Sequence, residues 1–205
     1  MNELISPLVS RDTESLISHL TSLLTSSQPS VIAIDGKCGS GKSTLAGFLA
    51  AHFDAALVHM DDFYLPFDMR TRERLDEPGG NVHYERFHKE IYLPLKEKPY
   101  PSSLNEPICT YHIFSCATGT LTETRTLPSK PLTIIEGSYC MRPEFRDLYD
   151  LSIFLDITDS LQQKRLQNRV GPEAMNSFNE IWIPLENRYF DTGISDICSI
   201  TFLIR

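Results

Sequence analysis

The residues best suited to chemistry in this sequence stand in one short run. Gly36-Lys37-Cys38-Gly39-Ser40-Gly41-Lys42-Ser43 fits G-x-x-x-x-G-K-[ST], with Thr44 directly after it. Glycines at those spacings let main-chain N–H groups wrap a phosphate at a helix start, while the lysine reaches the β- and γ-phosphates of a nucleotide and the serine hydroxyl reaches Mg²⁺. Gly36, Lys37, Cys38, Gly39, Ser40, Gly41, Lys42, Ser43 and Thr44 are therefore the expected ATP-binding set. A phosphate loop names a nucleotide, not a reaction. The N-K-x-D base-reading motif of a switch GTPase is absent, and Asp76-Glu77-Pro78-Gly79, which matches D-x-x-G, follows TRERL instead of an apolar strand. The apolar run TII ends in Glu136-Gly137, not in the Asp-Glu of a mechanical ATPase. Phosphoryl transfer to a small molecule fits these residues better.

Such a transfer needs a carboxylate to take the proton of the acceptor hydroxyl and another near the metal, both at the carboxyl edge of a sheet. Asp61 or Asp62, after ALVHM, and Glu136, after LTII, end apolar runs in this way. Neighbouring strand residues point to opposite faces, so one of the two aspartates is expected to face the reacting centre. Arg165 and Arg169, four apart in DSLQQKRLQNR, share a helical face and could close over a triphosphate. Cys38 lies where a helix N-terminus would lower the pKa of an exposed thiol, although a small buried filler is the plainer role.

These side chains require a parallel α/β frame. VIAID reads as a strand and STLAGFLAAHF as the helix after the loop, and further apolar runs begin near 56, 132, 151 and 197. Runs with little alternation imply a parallel sheet covered on both faces. Residues 13–25 carry Leu16, Ile17, Leu20, Leu23 and Leu24 at helical spacing, behind Asp12 and Thr13 as capping candidates. The segment PICTYHIFSCATGTLTETRTL reads as a hairpin turning at Thr118-Gly119. The expected organisation is one domain over 1–205, with its core in 27–64 and 131–205, a substrate-side insertion at 65–130 and a lid at 160–180.

Composition narrows the class. The chain has 205 residues, 41% hydrophobic and 22% charged, which excludes a disordered or low-complexity protein. Its net charge of −8 repels nucleic acid polymers and anionic membranes at long range. Five cysteines with no C-x-x-C pair suit a reducing compartment. MNELISPLVSRD has no basic leader before an apolar stretch, and no run of about 18 apolar residues occurs. A cytoplasmic protein is expected, and a homo-oligomer is compatible with the sequence.

Taken together, these motifs resemble the uridine kinase and phosphoribulokinase superfamily, in particular the bacterial uridine kinase-like proteins. The resemblance spans about 30–204 and rests on IAIDGKCGSGKST, VHMDDFYLP with its Tyr64, LDEP, TIIEGSYCMRPEFRDLYDLSIFLD and KRLQNR. It implies a P-loop NTPase fold with a five-stranded parallel sheet, a β-hairpin insertion and a short lid. It also implies transfer from ATP, with Mg²⁺, to the 5′-hydroxyl of a nucleoside-like small molecule. Asp61 then matches the catalytic aspartate, with Lys42, Arg165 and Arg169 as catalytic cations. Asp61, Tyr64, Asp76, Tyr111 and Glu136 match substrate-contacting positions, and Ser43 and Glu136 match the magnesium-associated ones. YHIFSC departs from the family, with His112 in place of an aspartate and Cys116 in place of the uracil-contacting histidine. The acceptor therefore need not be a pyrimidine nucleoside; another small alcohol, pantothenate- or nicotinamide riboside-like, and a non-catalytic nucleotide-binding regulator are the alternatives. His83 reads as an exposed loop histidine. Trp182, Pro184 and Tyr189 read as a helix packed on the sheet, whereas the resemblance puts them near the substrate mouth.

Overall fold

The computed structural model describes residues 11–25, 28–97 and 103–204. The opening MNELISPLVS, which bears on the expectation of no leader, lies outside them. Among the described residues no helix is long and apolar enough to cross a membrane.

Helix α1 (Arg11–Leu23) precedes strand β1 (Ser30–Gly36), which is buried at every position. Successive side chains of β1 point to opposite faces. Val31 and Ala33 enter one core with Val58, Phe63, Phe87, Tyr111 and Phe154. Ile32 and Ile34 enter the other with Leu16 and Leu20 of α1 and Leu45 and Leu49 of α2 (Lys42–Phe53). Burial on both faces leaves no polar alternation, as the apolar runs require. Strands β2 (Ala56–His59), β5 (Leu132–Glu136), β6 (Leu151–Ile157) and β7 (Ile200–Ile204) complete a parallel sheet in the order β2-β5-β1-β6-β7. Between β2 and β5 lies the hairpin β3 (Pro107–Ser115) and β4 (Thr120–Pro128), with Gly119 at φ 71° in its turn.

The remaining helices lie in the connections between these strands. The short α3 (Arg72–Asp76) comes first, and α4 (Tyr84–Phe87) continues through a π-helical turn into α5 (Leu93–Lys96). After β6, α6 (Asp159–Ser177) is broken at Gly171-Pro172, where Gly171 has φ 78° and ψ 171°. A second π-helical turn leads to α7 (Ile183–Phe190), followed by α8 (Ile194–Ile197).

Two local expectations change, while the expected cap of α1 at Asp12 and Thr13 falls at the edge of the described residues, which begin at Arg11. The last apolar run is divided, because Gly193 at φ 86° starts α8 and the strand begins only at Ile200. Strand β2 ends at His59, and Met60–Phe63 form a 3-10 turn. Asp61 and Asp62 therefore diverge by turn geometry and not by strand alternation.

Candidate active site

The loop between β1 and α2 takes its shape from glycine. Gly36, Gly39 and Gly41 have φ of 146°, 78° and 104°, values that side chains with a Cβ rarely adopt. A Cβ on Gly36 would also lie 2.2 Å from the Leu155 carbonyl oxygen of β6. Lys42, at the first position of α2, is buried and donates from Nζ to the carbonyls of Gly36 at 2.7 Å and Lys37 at 3.0 Å. Those two bonds hold the ammonium beneath the loop. Among the described residues the N–H groups of Gly39 and Gly41 have no acceptor, and those of Lys42, Ser43 and Thr44 belong to the unpaired first turn of a helix. Oriented donors at a helix start form a cradle for an anion.

Asp61 is exposed at the cavity and accepts from the Tyr64 hydroxyl at 2.9 Å. Burial and the adjacent Asp61 push the Tyr64 hydroxyl well above its usual range, so the tyrosine stays a donor. Asp62 turns the other way, is buried, and pairs with Arg125 of β4 at 3.3 Å. Burial raises its carboxyl, partly offset by Arg125. One aspartate thus serves the cavity and its neighbour the hairpin.

Glu136 is the last residue of β5, beside His59 in the parallel register. His59 Nδ1 lies 2.5 Å from Glu136 Oε1, and that bond raises the histidine's pKa against the opposing effect of its burial. Glu136 Oε2 is buried and has no partner. An acceptor left bare in this way costs stability unless a ligand uses it. Together with the exposed Ser43 hydroxyl on the same cavity, it fits a magnesium ion, which takes one or two protein oxygens and completes its shell from phosphate and water. Among the described residues no three His, Cys, Asp or Glu cluster for a fully protein-bound metal.

Arg165 and Arg169 come from α6 to the opposite wall. Arg165 Nη1 donates to the carbonyls of Gly39 at 2.9 Å and Ser40 at 3.2 Å, so it rests on the loop itself. Arg169 is exposed and lies 5.8 Å from the centre of the Phe178 ring. Two further side chains, which the motifs did not indicate, brace the loop. Glu186 of α7 accepts from the Cys38 N–H at 2.8 Å and the Ser138 hydroxyl at 2.7 Å. Asp35, fully buried, accepts from the N–H groups of Gly36, Tyr139 and Met141 and from the Tyr189 hydroxyl at 2.7, 3.2, 3.0 and 2.8 Å. Burial nevertheless raises its carboxyl to about 6. Cys38 lines the cavity, and burial and Glu186 hold its thiol far above the ordinary value, against the lowering expected at a helix N-terminus.

These walls enclose a cavity of about 770 Å³ that brings together the loop from Cys38 to Thr44 with Asp61, Tyr64, Glu136, Arg165 and Arg169. Gly36, the last residue of β1, and Lys37 after it do not line the cavity. Two sequence-derived substrate residues are not brought in. Tyr111 is buried in the core, stacked on Phe63 at 5.5 Å, and does not line the cavity. Asp76 ends α3 with 65% of its side chain exposed, 3.9 Å from Arg72 and away from the cavity. His83 caps α4, and Cys116 lines the cavity. Trp182 also lines it, whereas Tyr189 belongs to the core, so that stretch serves both roles. Glu186 stands two residues beyond Pro184, and Asp35 precedes the loop's first glycine; neither has a spacing signal, since their partners lie 148 and 106 residues away.

No protein-family model matches the chain. Among curated proteins, the uridine kinase of Clostridium tetani is 29% identical over 141 residues, 64% of this chain and 63% of that protein. The chain thus spans less than two thirds of the length of this relative. Among solved structures, a possible uridine kinase from Bacillus stearothermophilus superposes with TM-score 0.66 at 20% identity, covering 94% of this chain and 100% of that one. The uridine kinase of Ligilactobacillus salivarius is 27% identical over 164 residues, 75% of this chain and 72% of that protein. With the glycine loop between β1 and α2, the five parallel strands and these likenesses together, the chain has the P-loop kinase fold and is similar in sequence to bacterial uridine kinases.

Proposed function

We propose that the protein transfers the γ-phosphoryl group of ATP to the hydroxyl of a nucleoside-like small molecule, the 5′-hydroxyl by analogy with its uridine kinase relatives. The observation that carries this reading is the placement of Asp61 on the same cavity as the loop, Lys42 and the α6 arginines. In the proposed reaction Asp61 accepts the hydroxyl proton, the acceptor oxygen bonds to the γ-phosphorus, and the bond to ADP breaks. The loop N–H groups and Lys42 hold the transferring group, and Arg165 and Arg169 balance its charge from a lid over 160–180. Ser43 and Glu136 would hold Mg²⁺, which neutralises phosphate charge when bound. Substrate-side contacts come from 65–130 and core contacts from 27–64 and 131–205. ATP and a small alcohol are the proposed partners, and the cytoplasm the proposed location.

A specific observation favours a second acceptor class. Tyr111 is committed to the core, Asp76 lies outside the cavity, and Cys116 lines the cavity where the resemblance puts a base-contacting histidine. A site built to hydrogen-bond its ligand loses discrimination when those partners are missing. An alcohol other than a pyrimidine nucleoside is consistent with that arrangement.

The test is ADP release measured across a panel of nucleosides and vitamin-like alcohols, with Asp61→Ala beside the parent. A single strong acceptor is expected, with turnover at least 100-fold lower in the variant, an order set by the loss of a general base, and ATP binding retained. Near-parental turnover in Asp61→Ala would remove Asp61 as the base. ATP binding without transfer to any acceptor would favour a nucleotide-binding regulator.

A further inference from the structure

Four cations line the cavity: Lys42, Arg70, Arg165 and Arg169. Among the described residues none of them has an acidic partner, although the chain carries 27 aspartates and glutamates against 19 lysines and arginines. Away from the cavity most described cations pair with a carboxylate, as Arg72, Arg74, Arg86, Arg125 and Arg142 do, while Lys89, Arg146, Lys164 and Arg188 do not. Lys42 and Arg165 contact the phosphate loop, and Arg169 lies one turn beyond Arg165 on α6, so three cations serve the triphosphate side. Arg70 has no such attachment.

Arg70 belongs to the segment that leaves Asp61 and Tyr64. Its Nε donates to the Leu65 carbonyl at 2.8 Å, and its guanidinium carbon lies 4.5 Å from the centre of the Phe67 ring. One edge of the fork is thereby fixed, while both terminal Nη groups remain without a partner among the described residues. Leu65 is tied in turn to Asn81, whose carbonyl accepts the Leu65 N–H at 2.8 Å, and Tyr64 bridges Val82. Asn81, also on the cavity, is 7% exposed and its Oδ1 has no partner. A pinned guanidinium edge and an unpaired amide oxygen on the same cavity make a polar reader, not a packing surface. The guanidinium stays charged and matches planar oxyanions with two parallel hydrogen bonds.

Building on the kinase reading above, we infer that the acceptor is an alcohol carrying an anionic group, a carboxylate or a phosphate ester, gripped by Arg70 while Asn81 Oδ1 accepts from a hydroxyl of the same molecule. The two groups hold the acceptor at the end of the cavity that Asp61 serves. A neutral nucleoside would leave the guanidinium edge unpaired inside a half-enclosed site. That is the reason for preferring an anion.

The experiment measures ADP release by the full chain with neutral acceptors (uridine, cytidine, ribose, glycerol), carboxylate acceptors (pantothenate, D-glycerate) and a phosphate acceptor (ribose 5-phosphate). Calorimetric binding of the same probes with a non-hydrolysable ATP analogue accompanies it. An anionic acceptor is expected to be used best, the carboxylate and phosphate arms telling which oxyanion is read. Arg70→Gln should raise the KM for that acceptor about 10- to 100-fold, the size of a lost charge-assisted pair, with kcat and the KM for ATP near the parental values. Arg70→Lys should restore part of the loss, because charge survives and the fork does not. A neutral acceptor used best, an unchanged acceptor KM in Arg70→Gln, or a defect in the KM for ATP instead would each overturn the inference and leave the kinase reading standing. Transfer to no acceptor of either kind, with no anionic probe bound, would overturn both.

Discussion

Adjacent aspartates in this chain do different work because a 3-10 turn separates their directions. Asp61 meets solvent in the cavity and Asp62 meets Arg125. Asp35 is the most consequential residue the motifs passed over, for its carboxylate ties the start of the loop to the chain after β5 and to α7. Burial raises its carboxyl from 3.8 to about 6, so the folded chain holds that proton more firmly than the unfolded one. The stabilisation is fully present below the unfolded value and is lost as pH rises through about 6, a difference worth about 3 kcal/mol at 1.36 kcal/mol per pKa unit. In urea unfolding at a series of pH values, Asp35→Asn is expected to flatten the decline in stability between pH 4 and 7 by that order. A slope equal to the parent's would mean that Asp35 titrates in the fold as it does unfolded.

At the scale of elements, the hairpin is anchored to the sheet layer by aromatic packing. Phe63, two residues after Asp61, contacts Phe87 of α4 edge-on at 5.2 Å and Tyr111 of β3 face-on at 5.5 Å, with the Arg86 guanidinium 4.4 Å from its centre. It therefore joins the Asp61 turn, α4 and the hairpin in one cluster. Phe63→Ala is expected to cost about 3–5 kcal/mol, the range for removing a buried aromatic, read from the urea midpoint at unchanged m-value. A loss below about 1 kcal/mol would mean that the cluster collapses around the gap. The same packing explains why Tyr111 is not a cavity residue: alternation along β3 gives it to Phe63 and the core. The break at Gly171-Pro172 divides α6 between a part that carries Arg165 and Arg169 and a part that leads to Trp182 and Glu186. The loop is thus linked to the chain on both sides of the break, by Arg165 to Gly39 and by Glu186 to Cys38.

At the scale of the molecule, an acidic chain places four cations without acidic partners on one cavity. Net charge −8 opposes the approach of a polyanion, while Lys42, Arg165 and Arg169 supply a local counter-field at the loop. Binding of ATP to the folded state alone should therefore stabilise the protein by mass action. At 100 times the dissociation constant the gain is about 2.7 kcal/mol, or about 5–10 °C in Tm for a chain of this size. Thermal unfolding with Mg-ATP is expected to show that rise in the parent and to lose it in Lys42→Ala. An equal rise in both would place the nucleotide elsewhere.

The phosphate loop, the parallel sheet, the hairpin and the facing of a single aspartate were legible in the amino-acid order. Each is written locally, in glycines that permit positive φ, in apolar runs buried on both faces, and in carboxylates that end strands. The parting of Asp61 from Asp62 was legible in outcome but not in cause. What only the tertiary structure decided is the membership of the cavity. Arg70, Asn81, Glu186 and His59 enter or brace it, while Tyr111 and Asp76 leave it, through partners that are distant in the chain or held by turn geometry. Side-chain commitments of that kind depend on which surfaces meet after the sheet has closed, and close packing lets a side chain occupy the core or the cavity but not both.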